Sequence, residues 1–189
     1  GSNAMPFLGN PFRVPVVMEG RPVNERQDAL QYGVTDRFFE AMRIPLLNGR
    51  AFGPEDTWLP GSAEQPVVVS AEFERRFFPD GAVGGKFRYV YGGNYELSLH
   101  HRVIGVAGDV KRQEVTDDER PAYYVSYRQG GGASHFLVRT TGDPMALVPD
   151  IRKAVADVTP ELVITATDRL TTRVERSVTD ERFRATLSS

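Results

Sequence analysis

Apolar and polar positions along this chain follow two periods in turn, one helical and one extended, and the clearest segment is Thr35–Asp56, TDRFFEAMRIPLLNGRAFGPED. Phe38, Phe39 and Met42 form one stripe at helical spacing, Thr35 is placed to cap with its hydroxyl, and Asp36 lies in the first turn, where the helix dipole favours an anion. Ile44 precedes Pro45 and is driven out of helical geometry, so the helix stops there, and Asn48-Gly49 supplies a turn. Upstream, Val14 to Met18 is a short apolar patch among Pro6, Pro11, Pro15 and Pro22, which suits an edge strand broken by proline. Downstream, residues 53–66 are rich in Gly, Pro, Asp and Glu and read as a loop, with Trp58 as a lid over core.

The middle of the chain reads mainly as strands. Pro66-Val-Val-Val-Ser70 is a β-branched run ending on a cap, followed by a helix from Ala71 with Phe73, Phe77 and Phe78 on one face and Pro79 at its end. Lys86 to Tyr91 alternates apolar and basic residues as a half-exposed strand, Gly92-Gly93-Asn94 is a hairpin turn, and Tyr95 to Val110 is the next strand. Lys111 to Arg120 is a solvated loop. Ala122 to Tyr127 and Ser134 to Arg139 are strands flanking a flexible tip at Gly130-Gly131-Gly132. Asp143-Pro144 opens the best amphipathic helix, with Leu147, Ile151, Ala154, Val155 and Val158 on one face, and Leu162 to Ala166 returns as a strand in a β-α-β arrangement. A tail helix from Asp168 carries Leu170, Val174 and Val178, then shifts its apolar face to Phe183 and Leu187, as a helix does on leaving the body of its domain. The pattern predicts an α+β fold.

Composition narrows the classes. With 189 residues, 40% of them hydrophobic and 25% charged, the chain is an ordinary globular one of one domain or two small lobes. A net charge of −2 gives no field that attracts phosphate backbones, so nucleic acid is not expected as a partner. The absence of cysteine excludes disulfides, thiolate metal sites and a cysteine nucleophile. Gly1 to Ala4 (1–4) reads as an expression scar. No run approaches the roughly 20 apolar residues that span a bilayer. Either the protein is cytoplasmic or it is cut from something larger, and the apolar pattern still running at Ser189 favours the second.

Searching for chemistry returns little. Gly85-Lys86 fails as a P-loop, because Asp80 stands at the first glycine position and Phe87 where the hydroxyl is needed. G-x-G-x-x-G, G-x-S-x-G and H-E-x-x-H do not occur. Gly105 and Gly108 read as a bulge or close packing, and Asp117-Asp118-Glu119 as a solvated turn without calcium-loop spacing. His100 and His101 point to opposite faces of a strand and cannot share a metal; they and His135 read as surface or satisfied histidines. No catalytic residue, cofactor or metal is expected. What remains is arginine with tyrosine, the combination that interface centres favour. Arg102, Lys111, Arg112, Arg120 and Arg128 can gather on one rim, a solvated charged face being the alternative reading. With Tyr123, Tyr124 and Tyr127 they make the candidate partner surface, core and edge packing being the alternative for the tyrosines.

The succession of motifs resembles a known family. Val34-Thr-Asp-x-Phe-Phe-Glu-Ala-Met-x-Ile-Pro-Leu-Leu-x-Gly-Arg50-x-Phe opens it. Val67-Val-Val-Ser70, Arg76-Phe-Phe-Pro79 with Val83-Gly-Gly-Lys86, Val103-Ile-Gly-Val-Ala-Gly-Asp-Val110, Val138-Arg-Thr-x-Gly-Asp-Pro144 and Glu181-Arg-Phe-Arg184 follow in order. Together they are similar to the MacB-like periplasmic core domain of FtsX-like ABC transporter permeases, over residues 14–187. The resemblance implies two lobes: a porter-like α/β lobe from both chain ends (5–56 and 121–189) and a mostly β inserted lobe (57–120). It also implies a non-catalytic extracytoplasmic domain at the bacterial inner membrane, part of an integral membrane protein, which transmits ATP-driven motion of membrane helices to a periplasmic substrate or partner. ATP hydrolysis then belongs to a separate domain or subunit. The implied partners are the permease's own membrane helices, a second permease copy or homologous half, and a periplasmic adaptor or substrate. The alternatives are a free-standing small-molecule binding or enzymatic α+β domain, with a site between the lobes near Gly105 to Arg112 and Tyr123 to Tyr127, and a structural adaptor with no ligand.

Overall fold

The computed structural model describes residues 12–57, 64–90, 100–110, 120–129 and 135–172, and the chain divides into two compact units, 1–112 with 116–137 and 113–115 with 138–189. The first unit is built on one mixed sheet. Its strands are β1 (Phe12–Met18), β2 (Gln27–Val34), β3 (Leu46–Gly49), β4 (Glu64–Ser70), β5 (Lys86–Tyr89), β6 (His100–Ala107) and β7 (Ala122–Ser126), in the order β3-β6-β4-β7-β2-β1-β5. β2 and β7 run parallel, as do β4 and β6, and the remaining pairings are antiparallel. One edge of β6 pairs along β4, while its other edge is shared between β5, through His100 to Arg102, and β3, through Gly105 to Ala107. Strands β1, β2, β7, β4, β6 and β5 therefore close on one another. Closure of this kind removes the free edges that an open sheet must protect.

Both faces of the sheet are covered, which explains why β4 and β7 read as continuous apolar runs. Alternate residues serve two cores. Val14, Val16, Val67, Val69, Phe87, Val103, Tyr123 and Val125 point into one, and Leu30, Tyr32, Val34, Val68, Ile104 and Tyr124 into the other. Helix α2 (Ala71–Phe77) fills the first with Phe73, whose ring centroid lies 5.0 Å from that of Phe87 and 4.7 Å from that of Phe77. Helix α1 (Phe38–Met42) covers the second, with Phe39 5.0 Å edge-on to Tyr124 and stacked on Phe52. Ser70 caps α2 as its position predicts, accepting from the Phe73 N–H at 3.1 Å, and also accepts from the Ala122 N–H of β7 at 3.1 Å.

Several local expectations are corrected. Helix α1 starts at Phe38, with Arg37 at the N-cap position making no side-chain cap; the Thr35 carbonyl accepts from the Phe38 N–H, and the helix ends on Arg43 at φ +56°. Asn48-Gly49 ends β3, with Gly49 at φ +67° and its N–H held by its neighbour's Oδ1. β1 is no edge strand, since it pairs with β2 through Phe12 to Val16 and with β5 through Val16 to Met18. Pro15 is tolerated because β5 pairing starts one residue later, and its carbonyl still accepts from the Val90 N–H at 3.0 Å. The bulge expected at Gly105 is present as a register shift between β4 and β6, and a Cβ there would collide with the Arg50 carbonyl. Residues 57–120, expected as an inserted lobe, contribute β4, β5 and β6 to the same sheet as β1 to β3 and β7. The division into units falls after Leu137 rather than at residues 56 and 120.

In the second unit Asp143 Oδ1 accepts from the Met145 N–H at 3.0 Å, and a 3-10 turn, Pro144–Leu147, leads into α3 (Val148–Val158). Of the strands expected at Ser134 to Arg139 and Leu162 to Ala166, the described residues form none: His135, in the first unit, makes an isolated bridge, and residues 136–139 and 162–169 are irregular. A strand needs a ladder, and here the Ile164 carbonyl accepts instead from the Arg152 guanidinium at 3.2 Å. Residues 170–172 are helical. The rest of the expected tail helix, Trp58, the turn at Gly92 to Asn94, the acidic turn at Asp117 to Glu119 and the glycine tip lie outside the described residues.

Candidate functional site

Among the described residues the expected partner surface does not assemble as one patch. Tyr123 and Tyr124 are 0% and 1% exposed. They lie on β7 at the centre of the sheet, one in each core, and burial drives both phenol pKa values upward. Neither is available to a partner. Arg102 is exposed on β6 with Glu64 beside it at 3.6 Å. Arg128, just past β7, pairs with Asp36 at 3.0 Å and lies 5.1 Å over the half-buried Tyr127 ring. Since β4 runs antiparallel to β7 and parallel to β6, Arg102 and Arg128 share one end of the sheet while Arg120 precedes β7 at the other. Lys111 and Arg112 lie outside the described residues. The alternative site near Gly105 to Arg112 and Tyr123 to Tyr127 is not formed by its described part either, because β4 separates β6 from β7 and both faces are packed.

Polar anchors hold this framework. Arg50 forks onto Asp56 at 2.6 and 3.0 Å, and the Gly53 N–H adds a third bond at 2.8 Å. Burial alone would raise the Asp56 pKa, but the bonds from Arg50 and Gly53 outweigh it and hold this carboxyl below its ordinary value. Asp109 accepts from the Glu72 N–H at 2.8 Å and from Arg75 at 2.9 Å, tying the first turn of α2 to the end of β6. His101 departs from its expected role. It is 2% exposed, sits 5.1 Å from Phe87 and 5.3 Å from Tyr123 by ring centroids, and neither ring nitrogen has a hydrogen-bond partner among the described residues. Desolvation pushes its pKa down to about 4, so it is neutral in the core.

One concave feature stands at the β1–β5–β6 end of the first unit. A cleft of about 440 Å³ is lined by Met18, Glu19, Gly20, Arg21, Pro22, Lys86, Phe87, Arg88 and His100. The antiparallel register places Lys86 opposite Arg102 and Arg88 opposite His100. Glu64 bridges the first pair, bonding Lys86 and lying near Arg102. The alternation of Lys86-Phe-Arg-Tyr signalled a strand, but which residues it would face depended on pairing with a segment beyond residues 91–99. Among the described residues no group of three His, Asp or Glu side chains is placed to hold a metal ion. The arrangement offers cationic donors and apolar walls, suited to holding a molecule.

Comparison with known proteins bears on the whole chain. Among solved structures, the periplasmic region of MacB from Actinobacillus actinomycetemcomitans matches with a TM-score of 0.52 and 16% identity, over 78% of this chain and 63% of that one. This chain thus spans less than two thirds of that relative's length, and the likeness is one of fold. The extracellular domain of the noncanonic ABC-type transporter YknZ from Gram-positive bacteria matches with a TM-score of 0.41 and 17% identity, over 62% of this chain and 51% of that one. No curated protein matches the sequence. The family described as MacB-like periplasmic core domain matches residues 3–180, and the chain belongs to that family.

Proposed function

We propose that this chain is the extracytoplasmic domain of an ABC transporter permease and transmits ATP-driven movement of membrane helices to a periplasmic substrate or partner. The observation that carries the reading is the family match over residues 3–180, nearly the full chain. The fold supports it physically: a sheet that closes on itself, packed on both faces, passes a displacement from strand to strand instead of absorbing it. The membrane helices, anchored in the bilayer as part of the same integral membrane protein, and a second permease copy or homologous half are the proposed partners, with ATP hydrolysed on another domain or subunit. Arg102, Tyr127 and Arg128, at one end of the sheet, are the part of the sequence-derived surface proposed for a periplasmic partner. Among the described residues no helix is long and apolar enough to cross a membrane, so the membrane attachment is assigned to sequence outside them.

Transmission requires a stiff link between domain and membrane. Inserting a flexible Gly-Ser linker at Asp180 in the full-length permease lowers transport and leaves ATP binding intact; transport at the unmodified rate overturns the proposal.

A further inference from the structure

We infer that the cleft at the β1–β5–β6 end of the first unit binds a phosphate-bearing anion. Cross-strand neighbours of like charge repel unless an anion lies between them. At the Lys86–Arg102 step that anion is Glu64. At the Arg88–His100 step, two register positions along, Glu64 lies opposite His100 on β4, and among the described residues no carboxylate forms an ion pair with Arg88. Arg88 and His100 both line the cleft, as does Arg21 from the turn after β1, its own carboxylate partner, Glu25, being a loose contact at 3.4 Å between exposed groups. Guanidinium and ammonium groups donate hydrogen bonds and accept none, so a ligand that satisfies several of them must carry several acceptor oxygens on one centre, as a phosphate does. Met18, Pro22 and Phe87 supply apolar wall on which those charges act with less water between them. The volume of about 440 Å³ accommodates the phosphate and a small organic substituent. Glu19, the one carboxylate in the lining, opposes the ligand and keeps the site weak.

The test uses the 189-residue protein, titrated with inorganic phosphate at low ionic strength and followed by amide NMR. Saturable shifts at Gly20, Arg88 and His100 are expected. Arg88→Ala weakens binding at least fivefold, and Arg88→Lys, which keeps the charge and loses the fork, falls between. Glu19→Gln tightens it, and Arg13→Ala, on β1 outside the cleft, leaves it unchanged. Should Arg88→Ala fail to fold, the Glu19→Gln and Arg13→Ala pair still decides. Sedimentation with phosphatidylcholine vesicles, with and without phosphatidylglycerol, assigns the source. Arg88-dependent vesicle binding makes the ligand a lipid headgroup, whereas phosphate binding without it makes the ligand a soluble phosphate ester. Absence of saturable binding to either, or affinities indifferent to both Arg88 and Glu19, overturns the assignment.

Discussion

At the scale of residues, the pair Arg50–Asp56 shows how burial changes the energetics of a contact that the sequence already suggests. As an exposed pair it would be worth less than about 1 kcal/mol. Asp56, however, is 3% exposed while the Arg50 side chain is 48% exposed. Arg50→Ala therefore strands a buried carboxylate on the Gly53 N–H and costs about 1–3 kcal/mol in urea unfolding. Phe39→Ala, which empties a packed site, costs about 3–5 kcal/mol; a larger loss for Arg50 would reverse this ranking. His101 and Asp56 act in different pH windows. His101 has a folded pKa of about 4, below the roughly 6.5 of an unfolded histidine. The unfolded chain takes up the proton first, so stability is full above that unfolded value and declines until the folded value is reached, by about 3 kcal/mol in all. Asp56 is held below its ordinary value, so its contribution is present above the unfolded carboxylate pKa and is lost only as pH falls through the lower folded one. Melting curves of His101→Leu should lose the upper slope and keep the lower.

At the scale of elements, local signals were legible wherever one residue's chemistry sufficed. Ser70 reads as a cap because a hydroxyl stands before an apolar run, and it caps α2. Its second bond, to the Ala122 N–H of β7, spans too much chain for any local pattern to show. Ser70→Ala should consequently cost about 1–3 kcal/mol by chemical unfolding, more than the roughly 1 kcal/mol of a cap alone. A loss at or below the capping value would mean the link to β7 contributes nothing. The failures have the same origin. Val14 to Met18 looked like an edge because of Pro15, yet β5 takes its other side beyond the proline. Leu162 to Ala166 has strand composition and no ladder, because β-propensity expresses fit to neighbours more than an intrinsic backbone preference.

At the scale of the whole molecule, protection should divide along the two units. Amides of β4, β6 and β7, paired on both sides and buried, are expected to exchange only on global unfolding, whereas those of α3, where no residue is buried and Val158 is 83% exposed, exchange orders of magnitude sooner. Equal protection in α3 and β4 would contradict this. The order of motifs was sufficient to place the chain in its family, and the β-branched runs, the Ser70 and Asp143 caps and the Phe38–Phe39 stripe were determined by the sequence itself, since each depends on residues within one or two turns of one another. Only the tertiary structure decided that the strands close on one another, that residues 57–120 share a sheet with their flanks, that Tyr123 and Tyr124 are core, and that Arg88 faces His100. Those outcomes rest on pairing between segments far apart in the chain, and register across such distances is chosen by burial of whole faces, which no local pattern contains.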